Sequence, residues 1–564
     1  MLFLDIETDS KHKHIWCCFT WDKENGSVCH TEAKTLIPLI EKSDKVVGHN
    51  LIGFDGPLLR KLWNVTIKKS QAVDTLILSR LYNPNIEGGH ALEDWGKRVG
   101  QNKIDYADAY VAATGKDASL RWDEPDLPTL FNYCENDVDV TVKTYNMLKD
   151  LMKDFSPESI ELEHEVAIIV KGQEEHGFKF DVEKAQVLLA SLAGKMVDLE
   201  NQLQIVFPPL VETNRKNKRT GAPLKDIVTP FNPGSRKQIA ERLQAKGARF
   251  TKATEKGNII VDEKVLENID IPEAKLLLEY LMLQKRVAQV TSWLEEVKED
   301  GRIHGRVITN GAVTGRMTHS SPNMAQVPNA GSMYGPECRD LFTVDKGNVL
   351  VGIDASGLEL RMLAHYMRDE AYVKAVVEGS SKDGTDVHTL NQKAAGLSSR
   401  NDAKTFIYAF LYGAGAAKIG AIVGGSSRDG QNLIDSFLSK TPSLKVLRGK
   451  VETLSSKGFM PGLDGRKIWV RSQHSALNTL LQGAGAVVMK KALVLLASNL
   501  RAKRIPHGFC ANVHDEWQIE TKEEYGELVG KMGVQAIEQA GIALNLRCPL
   551  TGEYSVGTTW KQTH

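Results

Sequence analysis

The segment MLFLDIETDS sets Asp5 and Glu7 two residues apart at the end of an apolar run. In a strand, residues i and i+2 point to one face, so the two carboxylates share it. HNLIGFD then supplies Asn50 and Asp55, and Tyr133 and Asp137 stand at i and i+4, one face of a helix. Carboxylates from Asp5, Glu7, Asp55 and Asp137 gathered in one pocket repel strongly unless divalent cations neutralise them. Two Mg²⁺ ions about 3.5–4 Å apart do so, activating a water and stabilising the leaving oxygen in phosphodiester hydrolysis. Each segment alone also reads as a strand end with solvated acids or an ordinary helix face. It is the order DxE, Nx₃FD, Yx₃D that points to chemistry.

A second set lies in the other half of the chain. VLVGIDASGLELRMLAHYM is an apolar strand that delivers Asp354 to its end, followed by a helix. Arg400, Lys404, Tyr408 and Tyr412 recur every fourth residue and stop at Gly413, which lines two cations and two rings along one helix face. Such a face suits an incoming nucleotide, the cations taking its phosphates and a ring stacking near its base. NVHDEWQIE reads as a hairpin with His514, Asp515 and Glu516 at its turn. Asp354 and Asp515 on neighbouring strand ends can clamp two Mg²⁺ ions, one activating an attacking hydroxyl and one holding a triphosphate. The alternatives are that Asp354 caps the following helix and that the HDE segment is a polar turn.

The elements that must position these groups follow from periodicity. Residues 1–155 alternate short strands (Met1–Ile6, Lys45–His49) with helices (Asp74–Leu81, Thr129–Phe155). From 156 to 304 the pattern is mostly long and helical, with Ser159–His176, Val182–Val206 and Pro272–Lys298. The interruption ETNRKNKRTGAPLKD (212–226) carries five basic residues and no apolar period, which reads as a solvated loop. Strands return after 305 (Val349–Ile353, Asn512–Glu520), around a helix-rich stretch at 366–470. The expected plan is α/β and multidomain: a small α/β domain, a helical arm, and a larger α/β domain with a helical insertion.

Bulk composition neither adds to nor subtracts from this. At 564 residues the chain is too long for one core. Its 71 basic and 71 acidic residues cancel, which argues against a DNA-coating protein but not against an enzyme with a local basic cleft. No run of 18 or more apolar residues predicts a membrane span, and the acidic start lacks the basic region of a secretory signal. Seven cysteines without a CxxC pair are expected as reduced thiols in a cytoplasmic protein.

In these two sets of residues together, the chain resembles family A DNA polymerases that carry a 3′→5′ exonuclease domain. It looks most like the replicative enzymes of short-tailed bacteriophages (podoviruses). The amino-terminal acids resemble those of DEDD exonucleases of the tyrosine subtype. The segments GAVTGRMTHSSPNMAQVP (311–328), IDASGLELR, RNDAKTFIYAFLYGAG (400–415), GLDGRKIWVRSQHSALNTLLQGAGA (462–486) and VHDE match the polymerase group, so the likeness spans nearly the whole chain. It implies a ribonuclease-H-like exonuclease domain at 1–155, then a right hand: thumb at 156–304, palm at 305–365 and 471–564, and fingers at 366–470. It implies template-directed DNA synthesis from dNTPs with proofreading, in replication of a bacteriophage genome in the host cytosol.

Carried over by position, the resemblance implies metal ligation by Asp354, Asp515 and the Ala355 carbonyl, with Glu516 a nearby, less essential acid. Glu359 matches the position that excludes a ribose 2′-OH. His388, Arg400 and Lys404 match triphosphate contacts, Tyr408 packs on the nucleotide sugar, and Tyr412 stacks near the templating base. Arg316 and Gln482 match positions that hydrogen-bond minor-groove acceptors, which are nearly the same for every correct pair. His514 matches a position near the primer terminus. In the amino-terminal set Asp5, Glu7, Asp55 and Asp137 handle metal and Tyr133 orients water. The cofactors expected are two Mg²⁺ in each centre, with Mn²⁺ able to substitute.

Primer-template DNA and dNTPs are the expected partners, with a replisome helicase–primase and a single-stranded-DNA-binding protein as candidates. Thioredoxin falls outside the set. Phage relatives bind it through a thumb insertion just before the segment matching FNPGSRKQIAERL (231–243), where this chain has only Pro208–Pro230, too short for an added module. Arg215, Lys216, Lys218, Arg219 and Lys225 in that loop lie along duplex phosphates or simply solubilise it. A single-subunit RNA polymerase is the nearest rival, opposed by Glu359 and the amino-terminal acids. A nuclease with a merely DNA-binding second half is opposed by the presence of Asp354, Lys404 and Asp515.

Overall fold

The computed structural model describes residues 1–213, 219–223, 225–250, 253–254 and 257–564. The amino-terminal unit is built on the strand Leu2–Thr8, almost wholly buried along its length. It pairs antiparallel with Ile15–Asp22, which pairs in turn with Gly26–His30. On its other edge Leu2–Thr8 pairs parallel with Val46–Gly48, and that strand pairs parallel with Ala72–Asp74. Parallel neighbours need crossovers, and the helices Ala33–Lys42 and Asp55–Trp63 provide them. The helix Leu127–Leu151 begins at Asp126, whose carboxylate accepts from the Thr129 amide. It lays Cys134 and Val138 against Phe3, Cys17 and Phe19 of the sheet.

The long helices appear at Pro157–His176, Val182–Val206 and Pro272–Glu296, within two residues of their expected bounds. Their packing partners differ from the expected plan. Val182–Val206 and Pro272–Glu296 lie together in one core through Leu192, Leu199, Leu277 and Leu281. Pro157–His176 instead puts Leu162, Val166 and Val170 into the core of the carboxy-terminal sheet. The expected boundary at 155 does fall between two helices, but the packed helical arm starts beyond His176. An amphipathic period tells that a face is buried, not against what. The exposed strands Leu210–Glu212 and Ile227–Thr229 pair antiparallel, so Glu212 of the expected loop 212–226 ends a strand instead. Of that loop's basic side chains, Arg215, Lys216 and Lys218 lie outside the described residues.

The carboxy-terminal sheet is antiparallel, in the order His507–Val513, Glu516–Lys522, Asn348–Ala355, Gly552–Gly557. The helix Gly526–Ala543 packs so close that a Cβ on Gly533 would stand 2.3 Å from Ile353 Cδ1. Six helices from Glu370 to Ser455, with the hairpin Phe459–Pro461/Lys467–Trp469, form the insertion. The helix Ala476–Ala502 returns the chain to the sheet. Its stretch is long and apolar enough by composition to cross a membrane, although no uninterrupted apolar run of 18 residues marks it in the sequence. It is a core helix, with Val487, Val488, Leu493 and Leu496 fully buried. All seven cysteines are free.

One buried charge cluster fastens these parts together. Glu163 accepts from Lys490 Nζ at 2.8 and 2.9 Å and pairs with Arg466 at 2.7 Å. Arg466 also pairs with Asp464, and Lys490 also donates to Asn310. Glu163, Lys490 and Arg466 are each at most 5% exposed as side chains.

Candidate active sites

In the carboxy-terminal centre, adjacent strand ends set the geometry. Asp354 stands opposite Glu516 in the register, and the Ala355 amide donates to the Asp515 carbonyl at 3.1 Å. Val513 and Glu516 end their strands, and His514 takes φ +55° in the tight turn between them, which leaves Asp515 at the tip. Asp354 does not cap the following helix, Leu358–Met367, which has Gly357 at its N-cap with no side-chain cap. Asp354 is the exposed residue of an otherwise almost wholly buried strand. Desolvation of the group, then the charges of Asp515 and Glu516, lift its pKa to about 7. Burial raises Asp515 as well, against the pull of Arg316.

Glu516 behaves differently. Trp560 Nε1 donates to Oε1 at 2.7 Å, Gln518 Nε2 donates to the same oxygen, and His564 pairs with Oε2 at 2.7 Å. These bonds hold it below the usual range despite burial. Both oxygens are engaged by protein, so Glu516 anchors the strand. Two of its three partners, Trp560 and His564, lie at the far end of the chain, and nothing in the local VHDE spacing signals them.

Arg316 reaches into the centre from the loop after the strand Arg306–Ile308, 3.5 Å from Glu359 and 3.9 Å from Asp515. Tyr412 donates its hydroxyl to both oxygens of Glu359. The helix Arg400–Leu411 is capped by Ser399, and Tyr412 follows it with Gly413 at φ +73°. The Tyr408 and Tyr412 rings stack at 6.4 Å, and His388 lies 6.2 Å from Tyr408. Lys404 is exposed, and Gln482 is half-buried on Ala476–Ala502. Arg400 spends Nε and Nη2 on Asp386, which caps Val387–Ala395. The sequence reading missed Asp386, for which an Asp just before a helix start was the signal. The Nδ1 of His388 is buried without a partner.

The amino-terminal acids also meet. Oxygens of Asp5 and Glu7 and the Cys134 sulfur lie within 4.8 Å of one another. Asp55, at the first turn of its helix, accepts from the Ile6 amide at 3.3 Å. Asp74 holds the approach to Asp55 by accepting from the Asn50 and Ile52 amides. Burial, then the charge of Asp137, raises Asp5 to about 7. Burial likewise drives up Glu7, Asp55 and Asp137. Asp137 Oδ1 is buried with no protein partner. Its Oδ2 pairs with Lys103 at 2.5 Å, and the Lys103 ammonium sits over the Tyr133 ring. Neither Lys103 nor Cys134 was foreseen. Lys103 comes from a coil far along the chain, and no spacing marks it.

Residues 211–562 match the family described as DNA polymerase family A. The chain is 34% identical to the DNA-directed DNA polymerase of Enterobacteria phage T3 and 33% identical to that of Escherichia phage T7. Each alignment covers 93% of this chain and 93% of the relative. Among solved structures it is similar to the POL domain of Pol1 from M. smegmatis in complex with DNA primer-template and dNTP. That similarity has a TM-score of 0.79 at 18% identity, over 100% of this chain and 95% of the other.

Proposed function

The chain belongs to DNA polymerase family A and is a DNA-directed DNA polymerase, and from that premise we propose that it extends a primer at the Asp354–Asp515 centre and shortens strands at the Asp5–Asp137 centre. The observation that carries the first half is the pairing that brings Asp354 and Asp515 together on adjacent strand ends. Asp354, which holds its proton to about pH 7, and Asp515, which burial also raises, are poised to exchange their protons for a hard divalent cation. Asp354, Asp515 and the Ala355 carbonyl are the ligands we assign, with all-oxygen donors that fit Mg²⁺ and also Mn²⁺. When bound, the metals supply an activated primer hydroxyl and charge compensation on the triphosphate.

The chain's own residues do the rest. Lys404, the free Nη1 side of Arg400, and His388 take the triphosphate, and Asp386 keeps the Arg400 fork turned to them. Tyr408 packs on the sugar. Glu359, fixed by Tyr412 and Arg316, occupies the space a ribose 2′-OH needs. Arg316 and Gln482 test pair geometry from the minor groove, Tyr412 neighbours the templating base, and His514 neighbours the primer terminus. Glu516 acts by holding the Asp515 turn in place.

For the second half, support comes from the strand order of the amino-terminal sheet, which is that of a ribonuclease-H-like domain. The convergence of Asp5, Glu7, Asp55 and Asp137 beside Tyr133 adds to it. The orphaned Asp137 Oδ1 is a vacant hard donor of the kind a divalent cation takes. Residues 1–155 are thus assigned to proofreading, 305–365 with 471–564 to the palm, 366–470 to the fingers and 156–304 to the thumb, with Pro157–His176 built into the palm. The test is one primed single strand in Mg²⁺, incubated with and without dNTPs. Lengthening with them and stepwise shortening without them is the expected pair of results. Absence of shortening would remove the proofreading assignment and leave the polymerase assignment standing.

A further inference from the structure

One side chain among the amino-terminal acids carries the opposite charge. Lys103 lies in the coil between the helices Leu92–Arg98 and Tyr106–Thr114. Its ammonium is 2.5 Å from Asp137 Oδ2 and 4.7 Å from the centre of the Tyr133 ring. Lys103 and Tyr133 both line an open cavity of about 600 Å³, with Tyr106, Arg121 and Trp122 on its walls. The Lys103 side chain, 24% exposed, can be reached from solvent at this wall.

We propose that Lys103 is the phosphate-binding group of the amino-terminal site, turning from Asp137 to the scissile phosphodiester once divalent cations occupy the acids. The inference rests on the proofreading assignment above. Its basis is charge. Asp5, Glu7, Asp55 and Asp137, all ionised, with one ammonium leave three negative charges. Two divalent cations turn that into one positive charge, whereas the same site without Lys103 would be neutral. The substrate brings one negative charge and gains more as the water oxygen approaches, so an attracting site favours both the bound strand and the strained state that follows.

In that step the water oxygen bonds to phosphorus and the bond from phosphorus to the 3′ oxygen of the preceding nucleotide breaks. The departing oxygen keeps the electron pair and takes a proton, releasing a nucleoside 5′-monophosphate. Lys103 transfers no proton. Its ammonium compensates a non-bridging oxygen, and the Tyr133 ring keeps it from folding away by the attraction of a cation to a π face. The competing role is purely structural, with Lys103 holding Asp137 in position for metal. The two roles predict opposite changes in metal affinity, because deleting a competing cation tightens metal binding and deleting a scaffold weakens it.

The test uses the full chain with Lys103→Met and Lys103→Arg. Mn²⁺ binding is titrated calorimetrically in an Asp354→Asn, Asp515→Asn background, so that only the amino-terminal acids take metal. Shortening of single-stranded DNA and primer extension are measured without those background changes. The expected result for Lys103→Met is Mn²⁺ affinity equal to or tighter than wild type, turnover in shortening lower by about 100-fold, and unchanged extension. Lys103→Arg, which keeps the charge, should retain most of the turnover. The proposal is overturned by weaker Mn²⁺ binding in Lys103→Met, by turnover within about threefold of wild type, or by an arginine variant no better than methionine. If the wild-type chain does not shorten DNA at all, the proofreading assignment fails first and this inference falls with it.

Discussion

The Tyr412 hydroxyl donates to both carboxylate oxygens of Glu359, at 2.9 and 2.7 Å, across the junction between the insertion and the sheet domain. Arg316 approaches the same carboxylate to 3.5 Å. Glu359 is therefore fixed at the mouth of the Asp354–Asp515 centre. Glu359→Ala should raise ribonucleotide incorporation relative to deoxynucleotide by about tenfold or more, since the lost obstacle is a positioned polar group. Single-nucleotide kcat/KM for the two sugars measures this. An unchanged ratio would show that Glu359 does not face the sugar.

The two acid centres should separate cleanly. Asp354→Ala or Asp515→Ala is expected to lower extension by at least about 1,000-fold while single-stranded DNA is still shortened, because each centre gathers its own acids. Asp5→Ala with Glu7→Ala should do the reverse. If Asp515→Ala abolished shortening in a protein with an unaltered melting profile, the assignment of separate sites would be wrong.

Much of this was readable from residue order. The run VLVGI before Asp354 has the continuous apolarity of a strand covered on both faces, and the structure buries it from Val349 to Ile353. Gly413 marks the end of the pattern that carries Lys404 and Tyr408, so that end of the helix was legible too. Long-range partnership was not. Nothing near Glu516 announces Trp560 and His564, and nothing near Asp137 announces Lys103. The helix Pro157–His176 shows a buried face in its sequence, yet which core receives it depends on strands that lie from about 170 to more than 300 residues further along the chain.

Metal should stabilise the fold in a pH-dependent way. Asp354 and Asp5 hold their protons up to about pH 7, above their unfolded values, and Glu7, Asp55 and Asp137 are raised as well. Between about pH 4 and pH 7 the folded metal-free chain therefore binds more protons than the unfolded one, and through these groups it loses stability as pH rises. Glu520, held at about 2 by His176, Asn348 and Arg302, works the other way and loses its contribution only in acid. Mg²⁺ replaces the missing protons, so its gain in Tm over EDTA should be larger near pH 8 than near pH 5.5. Equal gains at both values would show that these acids are not where the metal acts.

The buried cluster around Glu163 links stability to the Asp354–Asp515 centre. Its carboxylate is fully buried and receives Lys490 and Arg466, and Lys490 continues to Asn310, in the loop that leads to Arg316. Burial, partly offset by Glu163, brings Lys490 down to about 8. Glu163→Ala strips a buried ammonium of its main counter-charge, which should cost about 3–5 kcal/mol. Arg466 suffers less, because Asp464 remains bidentate with it. The accompanying change in function should appear in extension rather than in shortening of single strands, since Asn310 and Arg316 share one loop while the amino-terminal acids lie on another sheet. Glu163→Gln with Lys490→Met removes both charges of the pair and should recover much of the loss, as buried ion pairs often tolerate neutral replacement. Thermal melts with both activity assays measure this. If Glu163→Ala melts within about 0.5 kcal/mol of wild type, an effect usual for surface changes, the cluster does not hold these parts together.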